Sequence, residues 1–242
     1  AMCADNGVVE EGVTQTGQEV TAIVAENFLT CNTSAAIMCK KAGVDIFPID
    51  IGMEADTKVP RYKTANGTAN MTKGPAMTRM QALQAILTGI HQVKEKKEAG
   101  YKIIATGEMG IGNTTTSSML VAALTGRTAE EVTGRGAGLN DAGLLRKQQV
   151  IAQALEKYEK EIRSKHALSM LAAFGGLDIA GMAGVCIGGA LYHVPVVLDG
   201  LISSVAALVA ERIVPGVREF VLPSHLSKEP AAKWIAEELK LH

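Results

Sequence analysis

The residues best suited to chemistry lie in one segment, Gly107-Glu108-Met109-Gly110-Ile111-Gly112-Asn113-Thr114-Thr115. A β-like run, Ile103-Ile104-Ala105-Thr106, leads into it, and a helical run starts near Thr114. Glycines at 107, 110 and 112 let the backbone approach a ligand closely. Free N–H groups at a helix start bind anions, and Thr114, Thr115 and Thr116 add hydroxyl donors. The pattern Gly107-x4-Gly112-Asn113-Thr114 is one residue away from a P-loop. Asn113 stands where that loop needs a lysine to meet the β- and γ-phosphates. The expectation is therefore a monophosphate site and not an NTPase. The competing reading is a Gly-rich turn with Asn113 as an ordinary N-cap.

Two further segments have polar groups at useful spacing. Thr133-Gly134-Arg135-Gly136-Ala137-Gly138 alternates glycine just before Asn140-Asp141 caps a long helix. It serves either a close approach to a ribose or base, or a tight connection between helices. Arg146 and Lys147 lie in the first turns of that helix, where cations oppose the macrodipole and point to a ligand anion, unless they are solvated surface charges. In Pro223-Ser224-His225-Leu226-Ser227-Lys228-Glu229-Pro230, Ser227 occupies an N-cap position, so its hydroxyl caps its own helix or meets a phosphate. His225 is given no role.

These segments must be positioned by alternating elements. β-like runs fall at residues 1–4, 44–51, 102–106, 194–198 and 219–222. Helical runs fall at 20–42, 76–99, 114–124, 142–165, 179–191, 202–212 and 231–241. A polar loop joins residues 54–73. This order predicts an α/β, Rossmann-like fold with a mainly parallel sheet and helices on both faces. Ligands in such folds bind beyond the carboxyl ends of the strands. Residues 1–242 are taken as one large nucleotide-binding domain, and both ends are expected to continue into small-domain segments that the chain lacks.

Composition narrows the class. Hydrophobic residues make up 47% but aromatics only 4%, with 25 glycines, as in layered α/β proteins. A net charge of −1 gives no electrostatic case for nucleic acid or an anionic membrane. The apolar stretch at 167–209 is broken by Asp178, His193, Pro195 and Asp199, and no uninterrupted run reaches the roughly 18 residues of a membrane span. Cys3, Cys31, Cys39 and Cys186 have no CxxC spacing and read as reduced cytoplasmic thiols. No metal constellation and no cofactor motif is evident.

Several stretches, in order along nearly the whole chain, resemble the nicotinate-nucleotide:dimethylbenzimidazole phosphoribosyltransferase family. They are residues 4–8 (Ala-Asp-Asn-Gly-Val), 18–21 (Gln-Glu-Val-Thr), 67–70, 74–78, 107–115, 133–136, 174–180, 197–200 and 224–230. The Glu-Met-Gly-Ile-Gly-Asn-Thr-Thr segment is the most specific. The resemblance implies transfer of phosphoribose from nicotinate mononucleotide to a ring nitrogen of 5,6-dimethylbenzimidazole or a similar base. The products are α-ribazole phosphate and nicotinate. It implies that Glu108, Gly110, Gly112, Asn113 and Thr114 contact the nucleotide. Gly136, Lys147 and Ser227 would lie toward its phosphate or ribose, and Gln18 and Met109 would line the acceptor pocket. No cofactor, no metal and a homodimer are implied. Two departures stand out. Gly17 replaces a proline before Gln18, and the Arg-Leu-Gly-Glu-Gly segment that carries the family's general base does not occur in these 242 residues. The catalytic residue is therefore unassigned. The alternatives are a non-catalytic nucleotide-binding subunit of a heteromeric transferase and an unrelated nucleotide-binding regulatory domain. On the sequence reading, a β-branched residue at Gly110 should abolish binding and leave the fold intact.

Overall fold

A computed structural model describes residues 1–241. Six short strands are β1 (Met2–Ala4), β2 (Ile49–Gly52), β3 (Ile104–Ala105), β4 (Glu108–Met109), β5 (Val196–Leu198) and β6 (Val221–Pro223). They form two three-stranded sheets ordered β2-β1-β4 and β3-β5-β6, and every pairing among the described strands is parallel. The expected single sheet is thus split, and the chain crosses from one sheet to the other between β3 and β4, at Thr106 and Gly107. The Thr106 N–H donates to Val197 in the second sheet, and the Gly107 carbonyl accepts from Met2 in the first.

Helices cover both faces. β1 alternates: Met2 and Ala4 join the main core, while Cys3 joins a smaller cluster with Ala25, Phe28, Ala36, Met53 and Val59. Helices α1 (Glu19–Leu29) and α2 (Ser34–Ala42) cover the smaller cluster. On the main core, α3 (Arg79–Glu98) packs closely against α9 (Leu177–Tyr192). A Cβ on Gly89 would lie 2.0 Å from the Gly181 carbonyl, and one on Gly184 2.0 Å from that of Ile86, so only glycine permits this approach. Between these lie α4 (Asn113–Thr125), α5 (Ala129–Val132), α6 (Asp141–Lys157), α7 (Glu159–Arg163) and α8 (Ala167–Phe174). Then α10 (Leu201–Ile213) and α11 (Ala231–Leu239) complete the chain. Among the described residues, no helix is long and apolar enough to cross a membrane.

Several expected elements are shorter than their patterns. The helix over 20–42 is two helices, because Thr33 turns its hydroxyl to the Ala36 N–H and starts a new one. The strand over 44–51 begins only at Ile49. Pro48 has no N–H for a ladder, and Phe47 instead packs edge-on against Tyr101 at 5.6 Å with the Lys96 ammonium over its ring. The helix over 142–165 breaks at Tyr158, whose hydroxyl donates to the Met71 carbonyl at 2.9 Å. Helix α8, unassigned within the apolar stretch, is capped by His166 Nδ1 accepting from the Ser169 N–H. Helix α3 starts at Arg79 rather than 76, since Ala76 and Met77 bond to Ala173 and Ala172, and Thr78 with Gln81 forms a capping box.

Candidate active site

The segment at 107–115 does not fold as an open phosphate loop. Glu108 and Met109 form strand β4 beside Met2 and Cys3. The N–H groups of Ile111, Asn113 and Thr115 already donate to Thr21 Oγ1, Gly110 and Gly112. Gly110 is buried; a Cβ there would lie 2.4 Å from Asp178 Oδ2 and 2.9 Å from the Ala4 carbonyl. Its lack of a side chain serves protein packing, which corrects the expectation that a branched residue would spare the fold. Gly112, at φ 92°, is itself the N-cap of α4, so Asn113 is not.

Asn113 has a different task. Its Nδ2 donates to Glu108 Oε2 at 2.5 Å and to Asp178 Oδ2 at 2.9 Å. One amide thus joins the half-buried Glu108 carboxyl of β4 to the fully buried Asp178 carboxyl in the first turn of α9. Burial, reinforced by Asp178, pushes the Glu108 carboxyl up from 4.5 to about 7. Burial pushes Asp178 up from 3.8 to about 6, against the hydrogen bonds from Asn113 and the Ile179 N–H. Sequence reasoning missed Asp178 as a site residue, although a signal was present. A lone carboxylate after Gly175-Gly176 in a long apolar stretch requires a partner once it is buried.

A second polar corner adjoins the start of α4. Lys147 is fully buried. Its Nζ donates to Thr114 Oγ1 at 2.8 Å and to the Gly134 carbonyl at 3.3 Å. Burial lowers its ammonium from 10.5 to about 8, partly offset by Glu229. Position 113 has no lysine, but α6 brings a buried one beside the start of α4. The Gly136 N–H, at φ 55°, donates to Glu229 Oε1, and a Cβ on Gly136 would crowd Thr114 Oγ1 at 2.9 Å. Ser227 Oγ accepts from the Glu229 N–H at 3.3 Å and so joins the same corner. Arg146 in contrast is exposed and donates to the Glu11 carbonyl.

The loop after β1 braces the turn ahead of α4. The Gly7 N–H donates to Thr68 Oγ1, and Thr68 N–H to the Asp5 carbonyl, which gives the motif at 67–70 a structural role. Asn6 Nδ2 donates to the Ile111 carbonyl, and Gln18 Nε2 to the Asn6 carbonyl at 3.1 Å. Met109 packs on the smaller cluster, which includes Phe28 and Met53. A cavity of about 550 Å³ is lined by Phe28, Ile49, Val93 and Met182, and Glu108 and Asp199 also border it. Gln18 and Met109 do not border it.

The arrangement sets a buried ammonium beside the start of α4, near a carboxyl raised toward neutral pH. A family model described as phosphoribosyltransferase matches residues 1–242. The chain belongs to this phosphoribosyltransferase family. It is 46% identical to the nicotinate-nucleotide–dimethylbenzimidazole phosphoribosyltransferase of Clostridium acetobutylicum, over 99% of this chain and 68% of that protein. The protein of the same name from Acetivibrio thermocellus is 44% identical, over 98% and 68%. A crystal structure of CobT from Thermus thermophilus superposes with a TM-score of 0.95 at 36% identity, covering 100% of this chain and 73% of that one. The family resemblance and the α/β fold expected from sequence are thereby established.

Proposed function

We propose that this chain transfers phosphoribose from nicotinate mononucleotide to a ring nitrogen of 5,6-dimethylbenzimidazole or a similar base. The observation that carries this reading is the pairing of two corners at the start of α4. Lys147, Thr114 and Gly136 offer an ammonium, a hydroxyl and an N–H to one phosphate. Glu108, held by Asn113 next to Asp178, offers a half-buried carboxyl that changes charge near neutral pH. Gly110, Gly112 and Asn113 shape the turn between them, Ser227 closes the phosphate side, and Gln18 and Met109 belong to the acceptor side.

The acceptor nitrogen attacks C1′ of the ribose. The bond from C1′ to the pyridinium nitrogen breaks, and its electron pair stays on that nitrogen, so nicotinate leaves with a neutral ring. The attached base then loses its N–H proton. Within this chain Glu108 is the group suited to take it, because its carboxyl ionises near the working pH. Residues 1–242 act as one nucleotide-binding domain. The protein works in the cytoplasm, whose reducing conditions suit its free thiols. It works as a homodimer, for which the exposed stripe Met80, Leu83 and Leu87 on α3 offers an apolar face.

The test is nicotinate release from nicotinate mononucleotide with dimethylbenzimidazole as acceptor. Acceptor-dependent release is expected. Mononucleotide binding without release from the full-length protein would sink the transferase reading, and no binding would sink the site itself.

A further inference from the structure

The corner around Lys147 contains an anion of its own. Glu229, in the loop ahead of α11, turns its carboxylate onto the turn at residues 134–136. Oε1 accepts from the Gly136 N–H at 3.0 Å. A Cβ on Gly134 would stand 1.9 Å from Oε2, so the glycine is what admits the carboxylate. Oε2 is buried and has no hydrogen-bond partner. Lys147 is fully buried, yet among the described residues no carboxylate lies within 4.0 Å of its Nζ. The two opposite charges share a corner without forming an ion pair. Lys147 is desolvated, while Glu229 is half-buried with one carboxylate oxygen left without a partner.

A phosphate oxygen would satisfy the same donors better. It can take the Gly136 N–H, the Thr114 hydroxyl and the Lys147 ammonium together, three donors that the Glu229 carboxylate does not reach at once. It cannot do so while Glu229 remains. A phosphate dianion, a carboxylate and one lysine would leave two net negative charges in a desolvated corner, against one if the carboxylate withdraws. Withdrawal has a route, because Lys228 and Pro230 on either side of Glu229 are exposed.

We propose that Glu229 is a built-in competitor for the phosphate seat: its carboxylate holds the Gly136 N–H when the seat is empty and withdraws when a phosphate monoester arrives. This rests on the phosphate-site reading above. Its consequence is selectivity. A ligand must bring enough negative charge to displace a resident carboxylate, which favours phosphate monoesters over nucleosides and uncharged sugars.

The test is calorimetric titration of the whole chain and of Glu229→Gln with two probes, inorganic phosphate and nicotinate mononucleotide. Both should bind the variant more tightly, on the order of tenfold, because an amide holds the Gly136 N–H less strongly and repels no phosphate. Unchanged or weaker binding of inorganic phosphate in the variant overturns the competitor and leaves the phosphate site standing. Weaker binding of the mononucleotide alone also overturns it, by making Glu229 a ribose ligand. If the unaltered chain binds neither probe, the phosphate site falls and the competitor with it. A measurement on the unaltered chain is independent of the variant's folding: saturating phosphate should shift the Gly136 amide resonance strongly, and an unmoved resonance refutes the exchange of partners.

Discussion

Lys147→Met separates stability from function, and the structure supplies both magnitudes. The Lys147 ammonium is lowered from 10.5 to about 8, chiefly by burial. At about 1.4 kcal/mol per pH unit, burying it charged costs about 3 kcal/mol. Methionine fills a similar volume without that cost. The substitution loses the hydrogen bonds to Thr114 Oγ1 and the Gly134 carbonyl, about 1.5 kcal/mol each because the donor is charged. The two contributions nearly cancel, so for a chain of this size the thermal midpoint near pH 7 should move by less than about 2 °C. The sign also has a pH signature. The folded value lies below the unfolded one, so the penalty is full below about pH 8 and gone above 10.5. The unaltered protein should therefore gain stability as pH rises through that window, and Lys147→Met should not. Function does change: losing a charge-assisted bond to phosphate raises KM for nicotinate mononucleotide about 100-fold. Calorimetric melting across pH and initial-rate assays read both quantities. A midpoint several degrees lower with KM unchanged would refute the reasoning, because Lys147 would then be a structural cation and not a phosphate ligand.

The carboxyl pair makes a second forecast. Glu108 and Asp178 are both raised by burial, to about 7 and about 6, so each costs stability only when ionised. Stability should fall as pH rises from about 4 to 7, and Glu108→Gln should flatten the upper part of that fall in a melting series. In the same variant nicotinate release should drop by about 100-fold or more and lose its acid limb near pH 7; an unaltered pH–rate profile would remove Glu108 from proton transfer. Gly110→Val should lower the urea midpoint by the equivalent of about 3 kcal/mol, since its side chain meets Asp178 and the Ala4 carbonyl. An unchanged midpoint with nucleotide binding lost would restore the view that Gly110 faces ligand.

Much of the fold was visible in the sequence because it depends on local pattern. Short apolar runs and amphipathic stretches located five of the six strands and most helices. Boundaries drifted where a distant contact overrode the pattern, as at Tyr158, which bonds to Met71, and at Phe47, which stacks on Tyr101. Strand β4 was not anticipated, because two residues flanked by glycines carry no periodicity and acquire strand geometry only by pairing with β1. The site followed the same division. Asn113 in place of a P-loop lysine argued against a triphosphate site, but no local rule brings the buried Lys147, thirty-four positions along the chain, against Thr114.

By itself the sequence determined the layered parallel architecture and the family, because hydrophobic period and the motif at 107–115 are properties of consecutive residues. Tertiary structure alone decided the partners. It joined Glu108 to Asp178 through Asn113, set Lys147 against Thr114, and laid Glu229 on Gly136. The physical reason is that a buried charge takes its proton affinity and its partner from whatever surrounds it in space. Those surroundings come from β4, α4, α6, α9 and the loop before α11, whose meeting no stretch of chain encodes alone.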